Sequence, residues 1–507
     1  MNKRILLMAA VAMLVAACSK DDDPLGEGTQ QGTAQVPVAF GAYVDRATTR
    51  AGAVGELTTN GGSGKASLQT VGFGVFAYHT DDKLYSPIYQ PNFMYNTRVR
   101  ASNWSYEPVR YWPNETGTNT GSANVDRLSF FAYAPWVPVV PETGQINTGT
   151  GGLGYDPDTQ TSLIEAANNG GIVGLTRNAA VGDPMLTYFV DLDPARQVDF
   201  CWGVANGDFT SSVDGLNNQV ADGSPFLNVM KPKTGDRISF DFRHALAALN
   251  VRLDTSEALD ENTKIYIRQI TFEGFDLKGM FNLNTDRAVW YDLGGANYLQ
   301  GDAVTVYDGR TNTREALSAN VNETPTGLNP AIIQQYTYDD LELDADDWEA
   351  AHPGVTKPVT VGVTGTTVNL FDDTNLTGDA DAKKAAPLYV IPTGRPLRVS
   401  VVYNVETVAK NLPGILSDGK TSGSSVQSSI TRQVTLTGSH GDVLEAGKQY
   451  FISLHLGMRG VEVSAQVGAW GSSLEEGDTV LEMVDITLTT DVIPWTEGPS
   501  TEGEAKY

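Results

Sequence analysis

Apolar side chains recur at every second position through much of the chain. The first such run spans residues 36–44, where alternate residues are apolar and their neighbours are smaller or polar. The same period of two returns at 238–242, 399–403, 452–456 and 461–467. Because successive side chains of a strand point to opposite faces, each run predicts a β-strand with one buried face.

Helical patterns are scarce between these runs. The stretches 160–169 and 339–351 each predict a short helix at most, since neither carries a sustained 3.6-residue apolar stripe. The chain also contains 52 glycines and 24 prolines, which favour short strands joined by turns. Dense strands without helical crossovers are typical of antiparallel sandwiches, so the predicted fold class is all-β.

The length of the chain and one polar hinge predict its division into domains. A chain of 507 residues is longer than the chains that usually fold around a single hydrophobic core. Residues 231–236 carry Pro and Gly between two strand-rich halves. We therefore predict an N-terminal β-sandwich domain at 36–235 and a C-terminal β-sandwich domain at 236–507.

The N-terminus has the pattern of an export signal. Lys3 and Arg4 precede an uncharged apolar stretch of thirteen residues, which is shorter than the about 20 residues that cross a bilayer. Residues 1–17 are therefore a predicted signal peptide. Residues 18–35 are acidic and rich in Gly, Gln and Thr, and predict a flexible tether.

A cysteine follows this apolar stretch directly. The sequence Val15-Ala16-Ala17-Cys18 resembles the lipobox of bacterial lipoproteins, in which the cysteine is acylated, and we predict Cys18 as the lipidation site. The alternative is a cysteine that merely falls at the end of a cleaved signal. Several acyl chains such as palmitate would hold the protein on a membrane, because each buried methylene contributes about 0.8 kcal/mol. The acidic residues after Cys18 are similar to the tag of surface-exposed lipoproteins of the Bacteroides group.

Charge and cysteine content exclude some functions. The formal net charge of −26 argues against binding to nucleic-acid phosphates. With Cys18 committed to lipid, Cys201 is the only other cysteine, so no intramolecular disulfide is expected. Cys201 lies in an apolar, strand-like run and is interpreted as a small core residue, with a nucleophile as the alternative.

Catalytic and metal-binding patterns are not evident in the sequence. The five histidines include no pair at i and i+4, and His244 is interpreted as a packed, hydrogen-bonded core residue rather than a base. Acidic stretches at 344–347 and 371–379 lack the complete spacing of a calcium loop and are interpreted as solvated loops. We therefore predict no catalytic residue, no metal site and no cofactor, and expect that the protein is not an enzyme.

One aromatic-rich stretch leaves two interpretations open. Trp104, Tyr106, Tyr111 and Trp112 lie within ten residues of one another. They form either a surface platform that stacks on sugars or a hairpin that packs its rings on the core.

Several segments in a fixed order carry a family resemblance. They are Phe73–Tyr78, Asn92–Asn96, Trp104–Pro113, Leu128–Pro135, Ile238–Leu246, Tyr389–Pro392 and Leu444–Tyr450. Together with the lipobox they resemble the fimbrillin family, the subunits of lipoprotein-derived pili of the Bacteroides group. The long loops 147–182 and 302–367 depart from a compact stalk unit and leave a tip or accessory role open.

The resemblance implies a fold, a location and an assembly mechanism. It implies two transthyretin-like antiparallel β-sandwich domains in tandem and export to the outer membrane as a surface-exposed lipoprotein of a fimbrium. It further implies that an arginine-directed protease removes the first strand and that other pilus subunits, identical or not, then join by strand exchange.

Two regions carry the residues for this assembly. Arg50 lies among small and polar residues just after the first strand, so we predict it as the cleavage site, with Arg46 as a second choice and an uncut loop as the alternative. Residues 484–492 repeat the apolar alternation of the first strand and are the predicted donor strand, or else an edge strand of their own domain. The apolar residues of this tail are Val484, Ile486, Leu488 and Val492.

The predicted function is a structural subunit or a tip or accessory adhesin of a cell-surface pilus. Its predicted partners are other pilus subunits, the outer membrane through the lipid, and a host or glycan ligand. The alternative is a surface glycan-binding lipoprotein that never polymerises and that uses the aromatic platform.

Overall fold

The alternating segments form β-strands, as their period predicts. The computed structural model describes residues 36–44, 57–60, 66–81, 83–113, 126–145, 171–191, 197–207, 210–213, 216–231, 237–255, 263–293, 297–301, 303–308, 345–351, 360–361, 368–369, 387–413, 422–436, 443–456, 461–469, 482–484 and 486–487. These described residues form β-strands and two short helices. The predicted all-β class is confirmed.

The elements of the first half are named in chain order. They are β1 (Phe40–Val44), β2 (Leu57–Thr58), β3 (Ala66–Ser67), α1 (Leu68–Val71), β4 (Phe73–His79), β5 (Met94–Val99), β6 (Leu128–Ala134), β7 (Gly171–Leu175), β8 (Met185–Phe189), β9 (Cys201–Ala205), β10 (Thr210–Val213), β11 (Leu216–Gln219) and β12 (Phe226–Val229).

The elements of the second half continue this numbering. They are β13 (Ile238–His244), β14 (Ala247–Thr255), β15 (Thr263–Glu273), β16 (Phe275–Asp276), β17 (Lys278–Asn282), β18 (Trp290–Tyr291), β19 (Val304–Asp308), α2 (Ala345–Ala351), β20 (Thr360–Val361), β21 (Val368–Asn369), β22 (Leu388–Pro392), β23 (Arg398–Pro413), β24 (Ser422–Leu436), β25 (Lys448–Leu456), β26 (Val461–Ala469), β27 (Glu482–Val484) and β28 (Ile486–Thr487).

The first sheet contains the first alternating strand of the chain. Its order is β1-β13-β9-β6-β4-β5, and β12 pairs with β6. β1 is an edge strand and runs parallel to β13, with Phe40 opposite Ile238 and Val44 opposite Phe242. The other pairings in this sheet are antiparallel. The parallel β1 thus differs from the simple antiparallel pattern that the sequence predicts.

The remaining larger sheets lie mostly in the second half of the chain. One has the order β16-β22-β14-β25-β26-β27 with β21 on β14, and another has the order β19-β15-β23-β24-β28 with β20 on β15. A four-stranded sheet, β18-β17-β8-β7, combines two strands from each half. Small two-stranded pairs are formed by β10 with β11 and by β2 with β3.

Two apolar cores pack against the first sheet, one on each face. Phe73, Val75 and Ala77 of β4 belong to the first core, whereas Phe76 and Tyr78 belong to the second. Strands buried on both faces read as continuous apolar runs, which explains why β4 and β6 show little alternation. The first core is a cluster that includes Val38, Phe40, Phe73, Trp104, Phe130, Phe240 and Phe242.

The second core joins the two halves of the chain. The rings of Phe200 and Phe281 lie 5.1 Å apart in it, and the backbone amide of Tyr389 donates to Gln197 Oε1 at 2.7 Å. β13, which follows the predicted boundary at residue 235, pairs within the first sheet. The described residues, from 36 onward, belong to one compact unit. The two tandem transthyretin-like domains and their boundary stay predictions.

Helices have a minor part in the described fold. α2 lies within the stretch 339–351 for which the sequence predicts a short helix, whereas 160–169 lies outside the described residues. Among the helices that the structure describes, neither is long and apolar enough to span a bilayer.

Candidate functional site

The first strand fills one side of the first core. Val38, Phe40, Ala42 and Val44 are each at most 9% exposed, and of the residues between them Ala39 and Tyr43 are half-buried and Gly41 is buried. The period of two in residues 36–44 thus places four side chains on one buried face. β1 is the end strand of its sheet in the described part of the chain, and the residues just before it pair with 110–112.

Two backbone ladders hold the first strand in place. The Val38 amide donates to the Arg110 carbonyl at 2.9 Å, and the Trp112 amide donates to the Val36 carbonyl at 2.9 Å. The Ile238 amide donates to the Ala39 carbonyl at 2.8 Å, where the parallel pairing with β13 begins. The chain from 36 to 44 therefore lies in a groove with one wall at 110–112 and the other at β13.

Phe40 packs against several aromatic rings of the first core. Its ring lies 5.2 Å from Tyr106, 6.0 Å from Phe130 and 6.3 Å from Phe240, measured between centroids. The Phe73 ring lies 6.4 Å away in an edge-to-face arrangement. Edge-to-face pairs at such distances stabilise a core beyond the area that they bury.

Gly41 allows β1 to approach β13 closely. A Cβ atom added at Gly41 would lie 2.7 Å from Ser239 Oγ, on the facing strand. A larger residue at this position would displace the Ser239 hydroxyl and the Arg237 side chain, whose Cδ would lie 3.0 Å away. The glycine is therefore part of the groove and not a turn residue.

The predicted lipidation residue precedes the first strand in the chain, and the predicted processing residues follow it. Arg46 and Arg50 lie in the segment between Val44 and Leu57, and this segment is outside the described residues. Cys18 is also outside them. The sequence alone places both arginines just after β1, and their roles stay predictions.

The tail residues that the structure describes pair with strands of their own chain. Val484 is opposite Ala465 of β26, and Ile486 is opposite Leu436 of β24. Leu488 and Val492 lie outside the described residues. Since a tail must leave its own sheet before it can enter a second molecule, the donor-strand prediction requires these short pairings to open.

The aromatic platform proposed from the sequence is wrong for three of its four residues. Trp104, Tyr106 and Trp112 are 8%, 8% and 3% exposed and belong to the first core. Burial also raises the pKa of Tyr106, whose hydroxyl donates to the Val38 carbonyl at 2.8 Å. The hairpin interpretation is correct, and Tyr111 alone of the four is exposed, at 43%.

Cys201 and His244 lie in the core, as the sequence predicts, but they form a cluster with Asp199. His244 Nδ1 is 2.8 Å from Asp199 Oδ2 and 3.4 Å from Cys201 Sγ. The Leu57 amide donates to the same Asp199 oxygen at 2.9 Å. All three side chains are buried, at 1%, 0% and 4% exposure for Asp199, Cys201 and His244.

Asp183 connects three loops at the surface, which sequence reasoning missed. It accepts hydrogen bonds from the Tyr85 hydroxyl at 2.8 Å and from the amides of Asn282 and Asn284 at 3.0 Å. Burial raises the pKa of Tyr85 well above its usual range, and the nearby Asp183 charge raises it further. The partners lie about a hundred residues from Asp183 in the sequence, so no local pattern marks them.

Comparison with known proteins gives similarity at the level of structure. No protein-family model matches the chain, and no curated protein matches it. A fimbrial protein from Bacteroides vulgatus is 18% identical, with 86% of this chain and 99% of that chain covered and a TM-score of 0.46. A protein from Bacteroides uniformis, provisionally named a cell adhesion protein, is 13% identical, with 87% and 100% covered and a TM-score of 0.32.

A further structural neighbour carries a different name. A protein from Bacteroides thetaiotaomicron, provisionally named as polysaccharide binding, is 10% identical, with 87% of this chain and 99% of that chain covered and a TM-score of 0.25. At these identities and TM-scores the similarities do not assign a function to this chain. The proposal below therefore rests on the residues of the groove.

Proposed function

We propose that this protein is a non-enzymatic structural subunit, or a tip or accessory adhesin, of a cell-surface pilus. It is exported as a lipoprotein through Cys18 and polymerises by strand exchange. The observation that carries the proposal is the first strand, an edge strand whose four inward side chains fill the first core.

Removal of this strand would leave a site that strongly favours a replacement. Full burial of Val38, Phe40 and Val44 contributes roughly 5 to 9 kcal/mol in total, at about 1.5–3 kcal/mol each. Without β1, the edge of β13 would lose its ladder partner, and the wall at 110–112 would lose its partner at Val36 and Val38. An alternating apolar strand from another subunit would restore both, by β-augmentation.

The cleavage is supplied by an arginine-directed protease acting between β1 and β2. Arg46 and Arg50 both lie in this interval, so a cut after either separates β1 from the rest of the chain. In the uncut protein β1 blocks its own groove, and polymerisation waits for the protease.

N-terminal sequencing of subunits from surface filaments tests this step. We expect the subunit to begin at Ala51, or at Ala47 if Arg46 is used. The double variant Arg46→Ala, Arg50→Ala should remain uncut and give no heat-sensitive ladder on a gel, while the control Lys65→Ala should polymerise normally. Filaments built of subunits that keep residues 36–44 would refute strand exchange at this groove.

The donor strand in this proposal is the tail 484–492. Replacing Ile486 and Leu488 by Asp would place two charges in apolar pockets of the acceptor, which costs several kcal/mol each unless they reach water. We expect the monomer to keep its Tm and to lose polymerisation after cleavage. A monomer with a lowered Tm would assign the tail to its own sheet, and normal polymers would exclude it as the donor.

The glycan-binding alternative is not proposed, because the aromatic residues assigned to it are buried in the first core with the exception of Tyr111. A host ligand for a tip subunit remains part of the proposal.

A further inference from the structure

Three potential ligand atoms converge inside the first sheet, and strand geometry explains why. Asp199 lies two residues before Cys201, the first residue of β9, and its carboxylate lies in the same cluster as the Cys201 thiol. His244 is the register partner of Cys201 on β13. This places a carboxylate, a thiol and an imidazole on one face of two neighbouring strands, although 43 residues separate the thiol from the imidazole.

The separations of these atoms suit a tetrahedral metal ion. Asp199 Oδ2, His244 Nδ1 and Cys201 Sγ lie 2.8, 3.4 and 4.0 Å from one another. Tetrahedral zinc with ordinary bond lengths sets its oxygen, nitrogen and sulfur ligands roughly 3.4–3.6 Å apart. Shifts of about 0.5 Å would therefore bring all three atoms to coordinating positions.

The carboxylate supplies a second observation. Asp199 is 1% exposed, and its other oxygen, Oδ1, has no hydrogen-bond partner among the residues that the structure describes. A buried carboxylate oxygen without a partner is costly. Coordination of the carboxylate to a metal ion would offset this cost.

We propose that Asp199, Cys201 and His244 bind one Zn²⁺ ion that stabilises the first sheet. Zinc is favoured because it accepts sulfur, nitrogen and oxygen ligands together, whereas Cu⁺ prefers soft sulfur ligands and Ca²⁺ and Mg²⁺ prefer oxygen. Binding displaces the thiol proton and any proton on Nδ1.

The local structure supports a structural ion rather than a catalytic one. The Leu57 amide donates to Asp199 Oδ2 at 2.9 Å and so orients the carboxylate. The three side chains are at most 4% exposed, which leaves no approach for a substrate through them. The residues follow Arg50 in the chain, so the site stays with the protein whether or not the proposed cleavage occurs.

Metal analysis of the full-length protein tests the proposal. The protein is produced without a histidine tag in zinc-supplemented medium and is then dialysed against EDTA. We expect about one zinc per chain and less than a tenth of that in Cys201→Ala and Asp199→Asn. The matched control is His79→Ala, since His79 lies 3.4 Å from Asp81 and 3.2 Å from Asp126 in a partly exposed cluster. This control should keep its zinc.

Cobalt gives a readout that does not depend on the folding of a variant. Wild-type protein produced with cobalt should show a thiolate-to-cobalt charge-transfer band, which requires the Cys201 sulfur as a ligand, and Cys201→Ala should lack it. The proposal is overturned if wild-type protein produced with cobalt contains no metal and lacks this band. Loss of zinc in His79→Ala together with its retention in Cys201→Ala also overturns it, because the ion would then belong to the exposed cluster.

Discussion

Replacement of Phe40 by Ala should lower the stability of the uncut monomer but not that of the polymer. The Phe40 ring is 2% exposed and packs against four other aromatic rings. Truncation of a buried Phe to Ala costs about 3–5 kcal/mol, because it loses transfer free energy and leaves a cavity. For a cooperative unit as large as residues 36–507, about 1 kcal/mol corresponds to about 1 °C in Tm. The uncut monomer should therefore melt about 3–5 °C lower than wild type.

Under the proposed strand exchange the polymer should respond differently, because β1 would be discarded. Once residues 36–44 are removed, the variant and the wild type are the same molecule. We expect calorimetry to give equal Tm values for polymers made from either protein, while the monomers differ.

Phe240→Ala is the matched control. Phe240 lies on β13, which is the wall of the groove and stays in the chain after cleavage. Its truncation should therefore lower the Tm of both monomer and polymer. The opposite result is that Phe40→Ala lowers the Tm of the polymer as much as it lowers the Tm of the monomer. That result would show that β1 is still in place and would refute the proposed mechanism.

Three further perturbations test other parts of the molecule. Cys18→Ser should abolish labelling with a radioactive or clickable acyl chain and recovery in the outer-membrane fraction; normal recovery would contradict the lipoprotein assignment. Burial raises the pKa of Tyr450 from 10.0 to about 12, so the folded state holds this phenol proton more tightly than the unfolded state, and its stabilisation is complete below pH 10 and declines above it. Tyr450→Phe should lower the free energy of unfolding by about 1 kcal/mol at neutral pH, since the Glu445 amide donates to this hydroxyl at 2.8 Å. Between pH 10 and 12 the free energy of unfolding, measured with urea, should fall less steeply with pH in the variant than in wild type. An unchanged slope would contradict the raised pKa of Tyr450. Asp183→Ala should lower the free energy of unfolding by about 2–4 kcal/mol, because three donors lose a charged acceptor, whereas Asp222→Ala, whose side chain is 70% exposed, should change it by less than about 1 kcal/mol; equal urea midpoints for the two variants would argue against Asp183 as a connecting residue.

Local patterns were sufficient for the strands and for the first strand in particular. The alternation at 36–44 predicts both the strand and its buried face, since period and face are properties of consecutive residues. The aromatic stretch at 104–112 shows the limit of such reasoning. Its composition fits an exposed platform and a packed hairpin equally well, and the burial of Trp104 and Trp112 depends on the strands that they meet.

Pairings between distant residues were decided only by the tertiary structure. The parallel pairing of β1 with β13 joins residues about two hundred positions apart. The cluster of Asp199, Cys201 and His244 depends on the register between β9 and β13, and a shift of one residue would move His244 to the opposite face. The sequence by itself determined the all-β class and the inward face of the alternating strands at 36–44, 238–242, 399–403 and 452–456, because those follow from the two-residue period. The tertiary structure decided which strands are neighbours and in what register, because these choices depend on how side chains from distant segments fill a common core.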